Sequence, residues 1–392
     1  MAVKGQMPAH IKPKTFHHPQ PTLQLITILE KIPDPRRPSC NFKYSLTSIV
    51  FIVVVTTLSG ADDWQVMEDL ALSMRDWIGE FVDVSTGIPS AHTMERVFSL
   101  IAPDAMEIAL IQVMNILKIK KEKTICFDGK TMRGTVNTGI GKQAMHILNA
   151  WSTENGICIG QKKVDDKSNE ITAIPELMEM LDLKGTIITA DALNTQKEVA
   201  KKAQDRGADY ILPVKGNHKG LLEDIELLFK EAQEKEFKGI DADQYETIEK
   251  SHGRVEVRNY YSMDADDLPD KVKWSGIKSI GMISRERVIK EKKSKEITYY
   301  ISSCEVDAKL LARSTREHWQ IENNLHWSLD VVFREDKIRY RHQIGARNLS
   351  TIRKIVLGAL SKDKSHKCGK AGKRIIAAGD PIFRSEILKN LF

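Results

Sequence analysis

Three carboxylates in this sequence have surroundings that suit chemistry. Asp128 and Asp191 each follow an apolar run, Thr124–Phe127 and Gly185–Thr189, that reads as a buried strand. In sheets of strands and helices, ligands collect where such strands end. Either aspartate alone could equally be a turn residue, since Asp-Gly is a common turn pair. Glu322 lies in His318–Lys337, HWQIENNLHWSLDVVFREDK. At 3.6 residues per turn, Ile321, Leu325, Leu329, Val332 and Phe333 make one apolar stripe, and Glu322 falls inside it. A carboxylate there is costly unless a cation, a metal or several donors face it. Two readings of that helix stand side by side: a structural ion pair with an arginine, or an acidic metal ligand. His318, His326 and Asp330 flank Glu322 at helical spacing, and Trp319 and Trp327 bracket it.

Taken together, two strand-end aspartates and a glutamate on a later helix can converge on one point. Oxygen donors of this kind suit Mg²⁺ or Mn²⁺. Two such ions could activate the attacking oxygen and stabilise the leaving one in a phosphoryl displacement. Positive charge lies close by in Lys130, Arg133, Lys215 and His218. Arg254 shares a strand face with Glu256 and Arg258, and the segment after the helix carries Arg334, Lys337, Arg339, Arg341, His342, Arg347, Arg353 and Lys354. Acids for metal amid bases for phosphate point to a polynucleotide, against the alternative of a solvated basic face. The net charge of +6 over 392 residues agrees but is weak support on its own.

Other chemistries fit poorly. His318-x3-Glu322-x3-His326 is not HExxH and lacks a third zinc ligand. There is no GxxxxGK[ST] and no GxGxxG after a strand, and Gly139–Gly141 is a bare GxG. No GxSxG elbow occurs. The five scattered cysteines form no CxxC and fit a reducing cytoplasm. The start of the chain does not read as a signal peptide, and the apolar run Ile49–Val55 is too short to span a bilayer, so no membrane is expected.

The elements that must position these groups follow from periodicity and turn signals. Residues 1–21 read as a flexible tail. Residues 22–118 read as a helical N-terminal domain, with helices at Thr22–Ile32, Tyr44–Leu58, Asp62–Leu72 and Ala91–Leu100. From 119 to 239 the texture is α/β. Strands at Thr124–Phe127, Gln143–Ser152, Gly156–Val164, Gly185–Thr189 and Ala208–Val214 are interleaved with helices at Glu170–Leu181, Thr195–Arg206 and Leu221–Phe237. A hairpin followed by strand–helix alternation implies a mixed sheet flanked by helices. Residues 240–305 read as a β-rich insertion with strands at Tyr245–Ser262, Ile277–Ile289 and Ile297–Ser303. Residues 306–345 hold the helix with Glu322, and 346–392 form a basic helical end.

Several segments, in this order, resemble bacterial insertion-sequence transposases of the DDE type, the group associated with H-repeats and Rhs elements. They are Phe127–Gly134 (FDGKTMRG), Asp166–Ile171 with Ala173–Glu176, Thr189–Ala192, Tyr210–Asn217, His252–Arg254, His318–Asn323 and Leu325–Val331. Asp34–Pro38 (DPRRP), Ile88–Ser90 and His92–Arg96 are similar to that family's N-terminal region. The resemblance covers nearly the whole chain. It implies a ribonuclease-H-like core, shared with retroviral integrases, with a β insertion before the last acidic residue. Position by position, the acidic triad is Asp128, Asp191 and Glu322. Relatives place Tyr, Arg and Lys around the catalytic Glu; here those positions hold Thr315, His318 and Leu329, with Arg316 and Lys337 nearby.

The resulting expectation is a transposase that uses two Mg²⁺ (or Mn²⁺) ions to cut double-stranded DNA at element ends and join the 3′-hydroxyl to target DNA. It would work as a homodimer on DNA, in the bacterial cytoplasm at the nucleoid. DNA contacts are expected from Lys130, Arg133, Lys215, His218, Arg254, His318, His326, Arg334, Lys337, Arg339 and Arg341. The alternatives are a nuclease of the same fold without strand transfer, and a non-catalytic DNA-binding descendant of a transposase.

Overall fold

Short β-branched runs alternating with amphipathic stretches build one mixed sheet with helices on both faces. The computed structural model describes residues 20–37, 42–118, 120–136, 143–164, 170–251, 254–269, 271–289, 292–340 and 342–390. The chain opens with helices α1 (Gln20–Glu30), α2 (Leu46–Leu58), α3 (Trp64–Ser73), α4 (Arg75–Ile78), α5 (Ala91–Phe98) and α6 (Pro103–Leu117). The tail expected at residues 1–21 lies almost wholly outside the described residues. Helix α2 is apolar on every side and accordingly buried. Its first turn is capped by Ser45, whose hydroxyl accepts from the Ser48 amide at 2.9 Å. No single described helix is long and apolar enough to cross a membrane; α5 and α6 reach that length only as a pair bent by 95°.

Strands β1 (Thr124–Met132), β2 (Met145–Ser152) and β3 (Ile157–Val164) form an antiparallel meander. Helix α7 (Glu170–Glu179) leads to β4 (Ile187–Ala190), and α8 (Lys197–Asp205) leads to β5 (Asp209–Val214). β4 lies parallel to both β1 and β5. Helix α9 (Lys219–Glu234) then precedes β6 (Ala242–Ser251), β7 (Arg254–Asp264), β8 (Ser279–Ile289) and β9 (Lys292–Ser302). Among the described residues the sheet has nine strands in the order β3-β2-β1-β4-β5-β9-β8-β7-β6.

The inserted strands continue the same sheet: β9 pairs antiparallel with β5, from Ile211↔Ser302 to Val214↔Tyr299, and covers what would otherwise be an exposed sheet edge. One expectation changes here. The single strand expected at Tyr245–Ser262 is two, β6 and β7, paired from Ala242↔Met263 to Ser251↔Arg254. His252 and Gly253, between them in the chain, lie outside the described residues.

The chain ends with α10 (Ala308–Gln320), a π-helical segment Ile321–His326, and α11 (Trp327–Val331), followed by α12 (Gln343–Lys362), α13 (Lys370–Gly379) and α14 (Pro381–Asn390). Successive residues of β3 show that both faces of the sheet are covered. Gly160 meets Leu177 and Leu181 at and just beyond the end of α7. Gln161 bonds Glu107 of α6 and Thr351 of α12. α12 also packs on α2 and α5, so the N-terminal helices, the sheet and the C-terminal helices share one apolar core.

The basic C-terminal stretch is therefore largely interior. Arg353 and Lys354 are 0% and 1% exposed. Arg353 lies 3.6 Å from Glu335, which is itself fully buried, and hydrogen-bonds Tyr340 Oη and the Asp62 carbonyl. Lys354 donates to Gln161 Oε1 at 2.5 Å and to Ser350 Oγ at 2.9 Å. Arg347 pairs with Glu107 at 2.8 Å and Asp104 at 3.1 Å. Among the residues read from sequence as a DNA face, Arg347 and Arg353 are spent on acids of the fold and Lys354 on buried polar groups.

Candidate active site

Sheet register alone brings the two aspartates together. β1 pairs with β4 from Thr124↔Ile187 to Phe127↔Ala190. Asp128 and Asp191 are the next residue on each chain, on strands roughly 4.8 Å apart. β1 itself continues to Met132, paired only with β2, so Asp128 sits mid-strand where its parallel neighbour ends. That is a correction to its reading as a strand-end residue, although the opening beyond β4 is the same. Asp128 Oδ1 accepts from the Gly129 amide at 2.9 Å. Burial, then Asp191, then Glu322 push its carboxyl up to about 7. Asp191 is also raised, first by burial and then by Glu170, against hydrogen bonds from Asn194 and the charge of Lys215.

The third acid arrives on a helix that is not regular. Asp307 caps α10 by accepting from the Leu310 amide at 2.7 Å. Leu311 and Ala312 turn inward, and Cys126 Sγ of β1 contacts the Glu317 carbonyl at 3.6 Å. At Ile321 the helix widens to π form until His326. Such widened turns are uncommon and change which way side chains face. Ile321, Leu325, Leu329, Val332 and Phe333 are buried, as the apolar stripe demands. Glu322 is exposed. It is not the buried carboxylate that the 3.6-residue spacing implied, because the widened turn frees it from the stripe, yet its charge still acts on Asp128. Among the described residues, no three His, Cys, Asp or Glu side chains stand together as a ready metal cage.

The neighbours sort differently from the sequence reading. His326 Nδ1 is 3.6 Å from Asp128 Oδ2, and burial first and Lys130 next push its imidazole down to about 3. His318 Nδ1 meets Thr189 Oγ1 at 3.1 Å, and burial lowers its imidazole to about 4. Both rings are neutral in the fold and face protein, so neither offers the positive charge expected for a phosphate. Lys130 is 6% exposed and held by Asp330 at 2.7 Å, Asp336 at 3.2 Å and Glu335 at 3.5 Å. It ties β1 to the segment that follows Glu322 instead of facing solvent. His218 donates to the Thr195 carbonyl at 2.5 Å, with Trp274 edge-on to its ring. Arg254 lies 3.5 Å from the buried Glu256, which also pairs with Arg258 and with Arg287 at 3.2 Å. Arg133 is exposed, with Asp336 3.7 Å from its guanidinium, and Lys215, Arg334, Lys337 and Arg339 are exposed. Arg341 lies outside the described residues. Of the positions where similar transposases carry Tyr, Arg and Lys, Thr315 bonds its own helix at the Leu311 carbonyl, His318 is paired with Thr189, and Leu329 is in the core.

One acid escaped the sequence reading as a site residue. Glu170, 5% exposed at the start of α7, accepts from Asn194 Nδ2 at 2.7 Å and hydrogen-bonds His146 Nε2. Its charge raises both Asp128 and Asp191. The only cue in the sequence was its place in the Asp166–Ile171 segment; no periodicity singles it out.

Comparison with known proteins gives consistent relatives. The family model described as "Transposase DDE domain" matches residues 119–358, and that described as "DDE_Tnp_1-associated" matches residues 26–114. YncI of Escherichia coli O157:H7, which bears a transposase name, is 39% identical over 370 residues, 93% of this chain and 94% of that protein. YhhI of Escherichia coli strain K12, named as an H repeat-associated transposase, is 37% identical over 372 residues, 93% of this chain and 97% of that protein. A solved piggyBac transposase synaptic complex with hairpin DNA is similar at a TM-score of 0.46 and 12% identity, over 94% of this chain and 80% of that one. That likeness is too low to carry an argument.

Proposed function

The chain belongs to the DDE-domain transposase family, and from that premise we propose that it cuts and joins double-stranded DNA at the ends of an insertion sequence. One observation carries the reading. Asp128 and Asp191 each lie one residue beyond the last pair of the parallel β1–β4 ladder, and Glu322, on a helix after the inserted strands, adds its charge to Asp128. The strand order β3-β2-β1-β4-β5, antiparallel then parallel, supports a ribonuclease-H-like core. Asp128, Asp191 and Glu322 would hold two Mg²⁺ or Mn²⁺ ions, which when bound supply activation of the attacking oxygen and neutralisation of the leaving one. Burial first, and then the neighbouring negative charge, raise the Asp128 carboxyl; that charge fits such a cation, and an all-oxygen donor set fits these metals.

The remaining work falls to the chain itself. The sheet fixes the two aspartates. Asn194 donates to Asp191 Oδ1 from its backbone at 3.0 Å and its side chain at 2.7 Å, which leaves Oδ2 free to face the substrate. The exposed Arg133, Lys215, Arg334, Lys337 and Arg339 are assigned to the DNA backbone. Cutting two element ends in one event calls for two copies of the chain on DNA, within the cytoplasm at the nucleoid. We divide the chain as its sequence suggested, with residues 22–118 ahead of the catalytic core, for which the associated match over 26–114 is support.

The test is cleavage of end-containing DNA by Asp128→Asn, Asp191→Asn and Glu322→Gln. Each should lose strand cleavage and keep DNA binding; full cleavage by any one sinks the assignment. Pre-cut ends then separate transposition from plain hydrolysis, since only a transposase gives joined product. Binding without cleavage in the unmodified chain would point to a non-catalytic descendant.

A further inference from the structure

From Asn194, which holds Asp191, a hydrogen-bonded chain runs on through Glu170, His146 and Thr131, groups to which the reaction gives no role. Thr131 Oγ1 lies 3.0 Å from His146 Nδ1, His146 Nε2 bonds Glu170 Oε1, and Asn194 Nδ2 donates to Glu170 Oε2 at 2.7 Å and to Asp191 Oδ1 at 2.7 Å. His146, Glu170 and Asn194 are 7%, 5% and 0% exposed. Donors and acceptors can be assigned throughout. Asn194 must donate to both carboxylates, so Glu170 accepts on Oε2. In the tautomer that carries its hydrogen on Nε2, His146 donates to Oε1 and Nδ1 is left to accept the Thr131 hydroxyl. Both Glu170 oxygens then accept, as an ionised carboxylate does.

Space for this chain is made by Gly129, the residue after Asp128. A Cβ there would overlap His146 Nε2 and stand 2.6 Å from Glu170 Oε1. The pair thus lies directly against the strand that carries Asp128, and no bulkier residue fits between them.

We propose that Glu170 is a positioning residue of the metal site, aiming Asp191 through Asn194 and adding a fourth negative charge beside Asp128. The inference rests on the proposed metal-binding role of Asp128, Asp191 and Glu322. Partners that hold a metal-ligating carboxylate typically change metal affinity about 10- to 100-fold when removed. Glu170→Gln is a mild change in hydrogen bonding. The amide oxygen can still accept from Asn194, and its NH₂ can donate to His146 once the ring changes tautomer. What is lost is charge.

The experiment titrates the full chain with Mn²⁺ alone and follows the rise in unfolding temperature, which sets in as the free ion exceeds its Kd, so the onset concentration reports affinity and not intrinsic stability. Glu170→Gln should move the Mn²⁺ onset upward about 10- to 100-fold, and Asn194→Ala should move it the same way. Asp128→Asn should abolish the response. A shift below about threefold in Glu170→Gln, with Asp128→Asn still abolishing the response, overturns the positioning role and leaves the metal site standing. Should Glu170→Gln fail to fold, Asn194→Ala is judged by the same threshold. No response in the unmodified chain, or a full one in Asp128→Asn, overturns both.

Discussion

Replacing Arg353 by methionine distinguishes an interior arginine from a DNA-facing one. Arg353 and Glu335 are 1% exposed at their side chains and 3.6 Å apart. At an effective dielectric of about 20, two unit charges at that distance attract by about 4–5 kcal/mol. Removing one partner of a buried pair typically costs about 3–5 kcal/mol, because the other charge is left behind. Lys130 at 3.5 Å remains to hold Glu335, while the bonds from Arg353 to Tyr340 and to the Asp62 carbonyl are lost with it. The expected loss is therefore about 3–5 kcal/mol. Urea unfolding at neutral pH reads it directly, and Glu335→Gln in the same chain should recover part of it. DNA affinity measured well below the unfolding transition should keep its salt dependence, since no phosphate contact is removed. Stability unchanged within about 0.5 kcal/mol, together with a salt slope reduced by about one, would mean that Arg353 faces DNA and that the interior network is wrong.

The exposed cations should behave in the opposite way. Lys337→Ala or Arg339→Ala should leave stability within about 0.5 kcal/mol and reduce the log–log salt slope of DNA binding by about one each, whereas Arg347→Ala should lower stability and leave the slope unchanged. His318 gives a pH dependence. Burial lowers its imidazole to about 4 from an ordinary value near 6.5, so the unfolded chain binds the proton first as pH falls. Its contribution to stability is whole above about 6.5 and is lost progressively down to about 4, which a series of unfolding temperatures would follow and His318→Gln should flatten. Gly134→Ala should be severely destabilising, because a Cβ there overlaps the Ile338 carbonyl oxygen, a backbone atom that cannot swing aside. An unfolding temperature close to that of the unmodified chain would refute that packing.

The sequence was enough for most of the order of elements, the β6–β7 pair excepted, and for singling out two aspartates that the sheet places at neighbouring positions. Apolar runs of four to six residues that end in Asp are visible without any tertiary knowledge, and parallel register then forces neighbouring strand positions side by side. The apolar stripe of the Glu322 helix was equally legible, and all five of its members are buried. Nothing local, however, announces a π turn, so a strict 3.6-residue count put Glu322 among them when it is exposed.

Charge was the least legible property. A lysine or arginine looks the same in a string whether it meets phosphate or a buried acid. Lys130, Arg347, Arg353 and Lys354 are answered by Asp330, Glu107, Glu335 and Gln161, each on a different element and, Glu335 apart, far away in the chain. Glu170 was hidden for the same reason, since its partners His146 and Asn194 come from β2 and from the loop after β4. Backbone periodicity is a local property and survives in the sequence. The partner that decides whether a buried charge is structural or functional is supplied only when distant strands and helices close on one another.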